Sequence, residues 1–477
     1  MREIGSTRDT AQHGAAWRSE APLGEAGRGE AGRGEAVRGA GMQARWVAIV
    51  ALVLHLSILP YDIATGFRAF TWGDRGMERL LTLQGFVGAH GSAIAWMTDA
   101  PIVPGEYLFA VLPWQWGGHV GVILVQIALA VGAGWLVARI AGRLIPWRRG
   151  ALGCGLLYVL LPQNIAFPHQ LVTEAIATPL CVAWLALVLA GVRRGRIGPF
   201  LAAGLCIGVA IFIRPVIAAM LPIAFVLALL LPAARTHLRA PGFYAMAAIG
   251  MAPLLVWTAL SSAYTGQIGY NKGGSANLGW NLQSKAQITE KANGIVPPAD
   301  LQDGGGITVG RFLKEVAQHK PAFAKAFLLD TVTVFVRGNS SKISVDYLGI
   351  DRNPAGWRHE LIYAKDAQRS RSSNVFNPVY VIEAIASVLT GLFFAFCVWQ
   401  ATRIGWELVR GKPAPSPEFV FLVIIAAAWL ITVFVSAQIV NEAQGRLRNP
   451  AEAAFILFAV MALAWRKRWP AVGSMMR

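Results

Sequence analysis

The sequence predicts an all-α polytopic membrane protein with about ten transmembrane helices and an exoplasmic loop region of short helices. Three observations lead there. The 477-residue chain is 55% hydrophobic and only 14% charged, a balance shifted from soluble domains toward hydrocarbon. Apolar runs recur at lengths suited to a hydrocarbon core of roughly 30 Å, which about 20 helical residues cross while satisfying their own backbone hydrogen bonds. Basic residues then fill every second loop between those runs.

The runs lie at 44–61, 118–142, 150–165, 172–192, 197–213, 215–233, 242–263, 378–402, 418–439 and 450–465. The pair joined at "FIRPV" also reads as one long broken element. Arginine and lysine follow the second, fourth, sixth, eighth and tenth runs, as at Arg139 and Arg143, Arg193 and Arg194, Arg235, Arg403 and Arg466. Basic loops stay cytoplasmic, so both termini are predicted to be cytoplasmic. The formal charge of +17 is therefore topological, because nucleic-acid binders gather basic residues on one soluble face. No nucleic-acid partner is expected. The four cysteines lie inside apolar runs without a CxxC pair, which argues against disulfides and metal or redox sites.

Four regions follow. Residues 1–43 carry the glycine-rich, mixed-charge "GEAGRGEAGRGEAVRG" and are predicted to form a disordered cytoplasmic tail. Residues 44–263 form the N-terminal membrane core with the first outer loop, and 264–377 an exoplasmic loop region. Residues 378–477 hold the last helices and a cytoplasmic tail. No signal-peptide pattern precedes residue 44, so the first run is read as a retained helix.

Nearly all candidate groups for chemistry share the outer side. In "FTWGDRGMERL" Asp74 precedes Met77, Leu80, Leu81 and Leu83, whose spacing predicts a short amphipathic helix along the interface. "TDAPIVPGEYLFAVLPWQWGG" brings Asp99, Glu106 and tryptophans into a predicted re-entrant or interfacial stretch. "PHQLVTEAIATP" places His169 and Glu174 at a helix mouth, and a charge as deep as Glu174 needs a partner or a wet cavity. Arg214, Arg446 and Arg448 are the cationic candidates, suited to a carboxylate or to phosphate oxygens. The glycine- and amide-rich "GYNKGGSANLGWNLQSK", with Lys272, is read as a flexible loop or a sugar or phosphate cradle. "RFLKEVAQHKPAFAKAFLLDTVTVF" is read as one amphipathic surface helix. Walker A, HExxH, GxSxG and Asp-x-Asp motifs are all missing, which disfavours nucleotide-dependent chemistry.

From residue 44 to about 466 the chain resembles the membrane glycosyltransferases of the GT-C fold, in particular bacterial relatives of dolichyl-phosphate-mannose protein mannosyltransferases and of lipid A aminoarabinose transferase. The motifs are "WGDRGMERL" after the first span, "PGEYLF" about thirty residues later, "LVTEAIATPL", "GVAIFIRPVIAAMLP" and "QGRLRNPAEAAFILFA". The resemblance implies a polyprenyl-phosphate sugar donor and inverting transfer to a lipid, glycan or protein acceptor at the exoplasmic face of a bacterial inner membrane. It places the catalytic base on Asp74, with Asp62 and Asp99 as alternatives. Asp99, Glu106, His169, Glu174, Arg214, Lys272, Arg446 and Arg448 become substrate-binding candidates among membrane lipids. No cofactor and no metal ligand set is implied, with dependence on a divalent cation left open. A secondary transporter, a lipid-linked glycan flippase or ligase, and a non-catalytic relative remain the alternatives. A transporter places its functional residues near the midplane, whereas here they gather at one face.

Overall fold

A computed structural model describes residues 26–70, 76–88, 104–145, 147, 149–266, 272–302, 306–336, 378–412, 414–439 and 445–475. Among them all regular structure is helical. Helix α1 runs Ala26–Ala64, α2 Gly76–Gly88, α3 Pro104–Leu144, α4 Gly150–Val159 and α5 Pro162–Ala166. A 3-10 turn, Phe167–His169, leads to α6 (Thr173–Arg194) and α7 (Ile197–Ile213). After the 3-10 turn Pro215–Ala219 come α8 (Met220–Leu230), α9 (Pro232–Leu238) and α10 (Pro241–Thr265). The loop region holds α11 (Lys272–Ala292), α12 (Ala299–Gln302), α13 (Val309–Gln318) and α14 (Lys320–Val336). The chain closes with α15 (Pro378–Val409), α16 (Pro417–Ile439), the 3-10 helix Gly445–Ala451 and α17 (Glu452–Met475).

Seven described helices are long and apolar enough to cross a membrane, two bent helix pairs could each supply another span, and Ile197–Ile213 is a shorter apolar helix. These ten elements coincide with the ten apolar runs of the sequence. The bends fall at proline: 66° ahead of Pro162 and 117° ahead of Pro232, where the missing N–H and locked φ end the preceding helix.

Pro104–Leu144 is two helices joined across a kink at Gly117 and Gly118, where Gly118 has φ 55°. Glycine alone adopts that backbone without cost. Three readings change. "NKGGSANLGWNLQSK" lies mostly within a helix, α11, because tertiary contacts override its glycines: the Gln283 amide donates to the Leu301 carbonyl at 2.5 Å and accepts from Gly306 N–H at 2.6 Å. The predicted single surface helix is two, α13 and α14, divided at His319–Lys320 ahead of Pro321. Helix α1 begins at Ala26, inside the segment whose composition predicts disorder.

One core joins α1, α3, α4, α6–α10 and α15–α17. Lipid supplies no hydrophobic force between helices, so close backbone approach matters. Gly204 and Gly208 form a G-x-x-x-G face on α7 against α10: a Cβ on Gly204 would lie 2.9 Å from Ile249 Cβ, and one on Gly208 3.0 Å from the Ile249 carbonyl oxygen. Replacing Gly208 by leucine is expected to destabilise the protein by about 1–3 kcal/mol. Thermal unfolding in detergent would show it, and an unchanged midpoint would refute this α7–α10 packing.

Candidate functional site

Hydrophobic helices carry few charges, yet the described ones bury a set of them at one end of the bundle: the C-terminal ends of α1 and α7 and the N-terminal ends of α3, α6 and α17. The basic loops leave from the opposite end. In lipid each such group needs a partner or a wet cavity, and the side chains meet that need in three linked clusters.

The first cluster is built on the α6 start. Val172 is extended and Thr173 opens the helix, which points Glu174 across at Arg214, the residue where α7 ends. Arg214 Nη1 lies 2.6 Å from Glu174 Oε1, with side chains 11% and 2% exposed. Thr173 ties the pair together: its hydroxyl donates to Glu174 Oε2 at 2.9 Å and accepts from Arg214 at 3.2 Å. Pro215 follows Arg214 and starts a new turn, so the guanidinium is held at a break between helices rather than along one. Beside it Arg79 of α2 donates to the Leu171 carbonyl at 2.9 Å and sits 3.7 Å from Glu106 of α3, which is fully buried. Glu106 also feels the charges of Glu174 and Arg214.

The second cluster is a chain of three titratable groups. Asp62 Oδ2 lies 2.6 Å from His169 Nδ1, and His169 Nε2 lies 3.1 Å from His55 Nδ1. All three residues are at most 2% exposed. Ahead of it the backbone turns sharply: Phe67, at φ 59°, stacks on His119 with centroids 4.7 Å apart. A bulky residue held at positive φ stores strain, which persists only where its surroundings over-determine it.

The third cluster closes the bundle. Arg448, 2% exposed, donates to Glu452 at 3.3 Å and to the Val334 carbonyl of α14 at 2.7 Å, and its guanidinium lies 5.0 Å from the Phe394 ring. Gln163 also bonds Glu452, and Thr178 bonds Asn449, whose amide donates to Asn164 at 2.9 Å. A cavity of about 20 Å³ lies among His55, Tyr158, Asn164, Glu174, Thr178 and Asn449. That volume and polarity suit a single water molecule.

Of the residues singled out from sequence, Glu106, Glu174 and Arg214 are brought together, His169 joins Asp62, and Arg448 lies beyond Asn449. Asp74 and Asp99 lie outside the described residues, as do the side chains of Lys272 and Arg446, whose backbones open α11 and belong to the Gly445–Ala451 helix. Sequence reading missed His55, Arg79 and Glu452. An ionisable residue in mid-span was the signal for His55. The i, i+4 spacing from Arg448 was the signal for Glu452. In the loop region, Glu290, Glu315 and His319 approach within metal-ligand range of one another, but Arg311 already pairs with Glu315.

Removing one partner of a buried pair leaves an uncompensated charge. Arg448→Leu is therefore expected to cost about 3–5 kcal/mol, whereas Arg448→Leu with Glu452→Leu should recover part of the loss. Thermal unfolding of both variants measures this coupling.

Residues 116–258 match a family model described as dolichyl-phosphate-mannose-protein mannosyltransferase. The crystal structure of ArnT from Cupriavidus metallidurans bound to undecaprenyl phosphate aligns at 14% identity and a TM-score of 0.39, covering 88% of this chain and 76% of that one. No curated protein matches. The matched segment contains His169, Glu174 and Arg214, and over it the chain is similar to the GT-C membrane glycosyltransferases that its motifs resemble.

Proposed function

We propose that this protein is a membrane glycosyltransferase that moves a sugar from a polyprenyl-phosphate carrier to a hydroxyl of a lipid, glycan or protein acceptor, with inversion, at the exoplasmic ends of its helices. One observation carries the reading: buried carboxylates and guanidinium groups converge on the bundle end opposite the basic loops, around the Glu174–Arg214 pair. A transporter would spread such groups through the midplane. Similarity over 116–258 to a mannosyltransferase family supports the same reaction class.

The chemistry asks little beyond placement. A polyprenyl phosphate arrives at the membrane surface with its leaving group built in. As the acceptor oxygen bonds the anomeric carbon, the bond from that carbon to the phosphate oxygen breaks and its electron pair stays on the phosphate. A carboxylate takes the hydroxyl proton, and a guanidinium stabilises the phosphate charge. Arg214 suits the second role better than Arg448, since its side chain is 11% exposed against 2%. The base is assigned to Asp74, on the resemblance of "WGDRGMERL" to the first-loop motif of the family.

In proteoliposomes supplied with a labelled polyprenyl-phosphate sugar and membrane acceptors, wild-type protein should transfer the sugar. Asp74→Asn should slow turnover by about 10²–10⁴-fold with an unchanged melting temperature. Normal turnover by that variant would transfer the base to Asp62 or Asp99, and absence of any donor turnover by wild-type protein would refute the reaction itself.

A further inference from the structure

The loop region between α10 and α15 has to hold the described helices α11–α14 together. The apolar core they share is small: Leu282 and Ala286 of α11, Leu301 of α12, Phe312 of α13 and Phe323 of α14. Units with so little core gain stability from a disulfide or a metal ion. Residues 264–377 contain no cysteine, so a disulfide is not available.

Two helix stripes lead to the same place. On α11 the spacing i, i+4, i+8 carries the core face of Leu282 and Ala286 on to Glu290 in the last turn. Helix α13 opens at Thr308, whose hydroxyl accepts from the Arg311 N–H at 3.2 Å. The same spacing then sets Arg311, Glu315 and His319 along one side, with His319 just past the helix end. Phe312 enters the shared core and fixes α13 beside α11. Glu290 and Glu315 are fully buried, whereas the His319 side chain is 31% exposed. One ligand atom from each of the three lies within 4.8 Å of the other two, and His319 Nε2 is 4.0 Å from Glu315 Oε2.

Arg311 engages only half of Glu315. It pairs with Oε1, while Oε2 is buried and accepts no hydrogen bond among the described residues, a state that costs free energy unless something fills it. Holding one oxygen so that the other faces an ion is how a ligating carboxylate is oriented. We propose that Glu290, Glu315 and His319 bind one zinc ion, with water as the remaining ligand, and that the ion clamps the end of α11 to the end of α13. Two carboxylate oxygens and an imidazole nitrogen suit zinc, whereas calcium and magnesium take oxygen ligands. Zinc bonds of about 2.0–2.1 Å at tetrahedral angles separate ligand atoms by roughly 3.3 Å, so the side chains close by about 1–1.5 Å on the ion. His319 can supply that movement because it stands beyond the last turn of α13. Its partial exposure also gives the ion a path from solvent.

The test uses the intact protein in detergent, without a polyhistidine tag and stripped of metal with EDTA. Zinc chloride should bind at one ion per chain, counted by elemental analysis after equilibrium dialysis. It should also raise the melting temperature, and renewed EDTA should reverse the rise. Magnesium chloride should give no rise. His319→Gln removes the imidazole at a partly exposed position, and it should bind one zinc ion fewer than wild type and lose the zinc-dependent rise. Neither measurement depends on sugar transfer. A wild-type protein that binds no zinc, a magnesium effect equal to that of zinc, or a His319→Gln protein that binds as much zinc as wild type each overturns the site. If His319→Gln does not fold, Glu290→Gln carries the same comparison with the same two outcomes.

Discussion

A single ion pair, Glu174 with Arg214, sets the terms on which the rest of this bundle is assembled. Two opposite charges placed where α6 begins and α7 ends meet there, because a buried charge in hydrocarbon needs a partner. Meeting requires the 167–172 segment to leave helical geometry and Pro215 to stop α7 where it does. The same segment presents the Leu171 carbonyl to Arg79 and the His169 ring to Asp62. Asp62 and Arg79 are thereby tied to the centre of the molecule, and a change in the pair would reach a residue more than a hundred positions away in sequence.

Buried pairs of this kind are poor sources of stability compared with well-packed apolar side chains, so their concentration at one end calls for an account in terms of function. The stabilising work lies elsewhere, in the aliphatic and aromatic core shared by eleven helices and in the glycine contact between α7 and α10. The molecule therefore separates two roles by depth. Among the described residues its middle is packed, with isolated buried amides such as Gln126 and Gln400, while one end holds the ionisable clusters.

Much of this was legible in the sequence, and the reasons differ by element. The ten spans were readable because apolar runs between basic loops have one physical solution in a bilayer. That Glu174 would need a partner or a wet cavity was foreseeable from cost alone, with Arg214, Arg446 and Arg448 as candidates; the structure places Arg214 against it. Helix α11 was not legible: its glycines argue for a loop, and only the contacts of Gln283 with Leu301 and Gly306 show why it winds. Nor was the Asp62–His169–His55 chain, in which His169 lies more than a hundred residues from the other two. Pairing across that distance is decided by how α1 and the Phe167–His169 turn pack, which local propensity does not record.

The interruption at Gly117 and Gly118 governs how much of the Pro104–Leu144 stretch can cross a membrane. A straight helix of 41 residues would measure roughly 60 Å, about twice the thickness of a hydrocarbon core. Broken there, the stretch from the interruption to Leu144 measures roughly 40 Å, enough to cross with some tilt, and Trp116 is 80% exposed beside the break. The kink thus sets which part of the stretch can cross a hydrocarbon core, while Glu106 is buried beside Arg79 ahead of it.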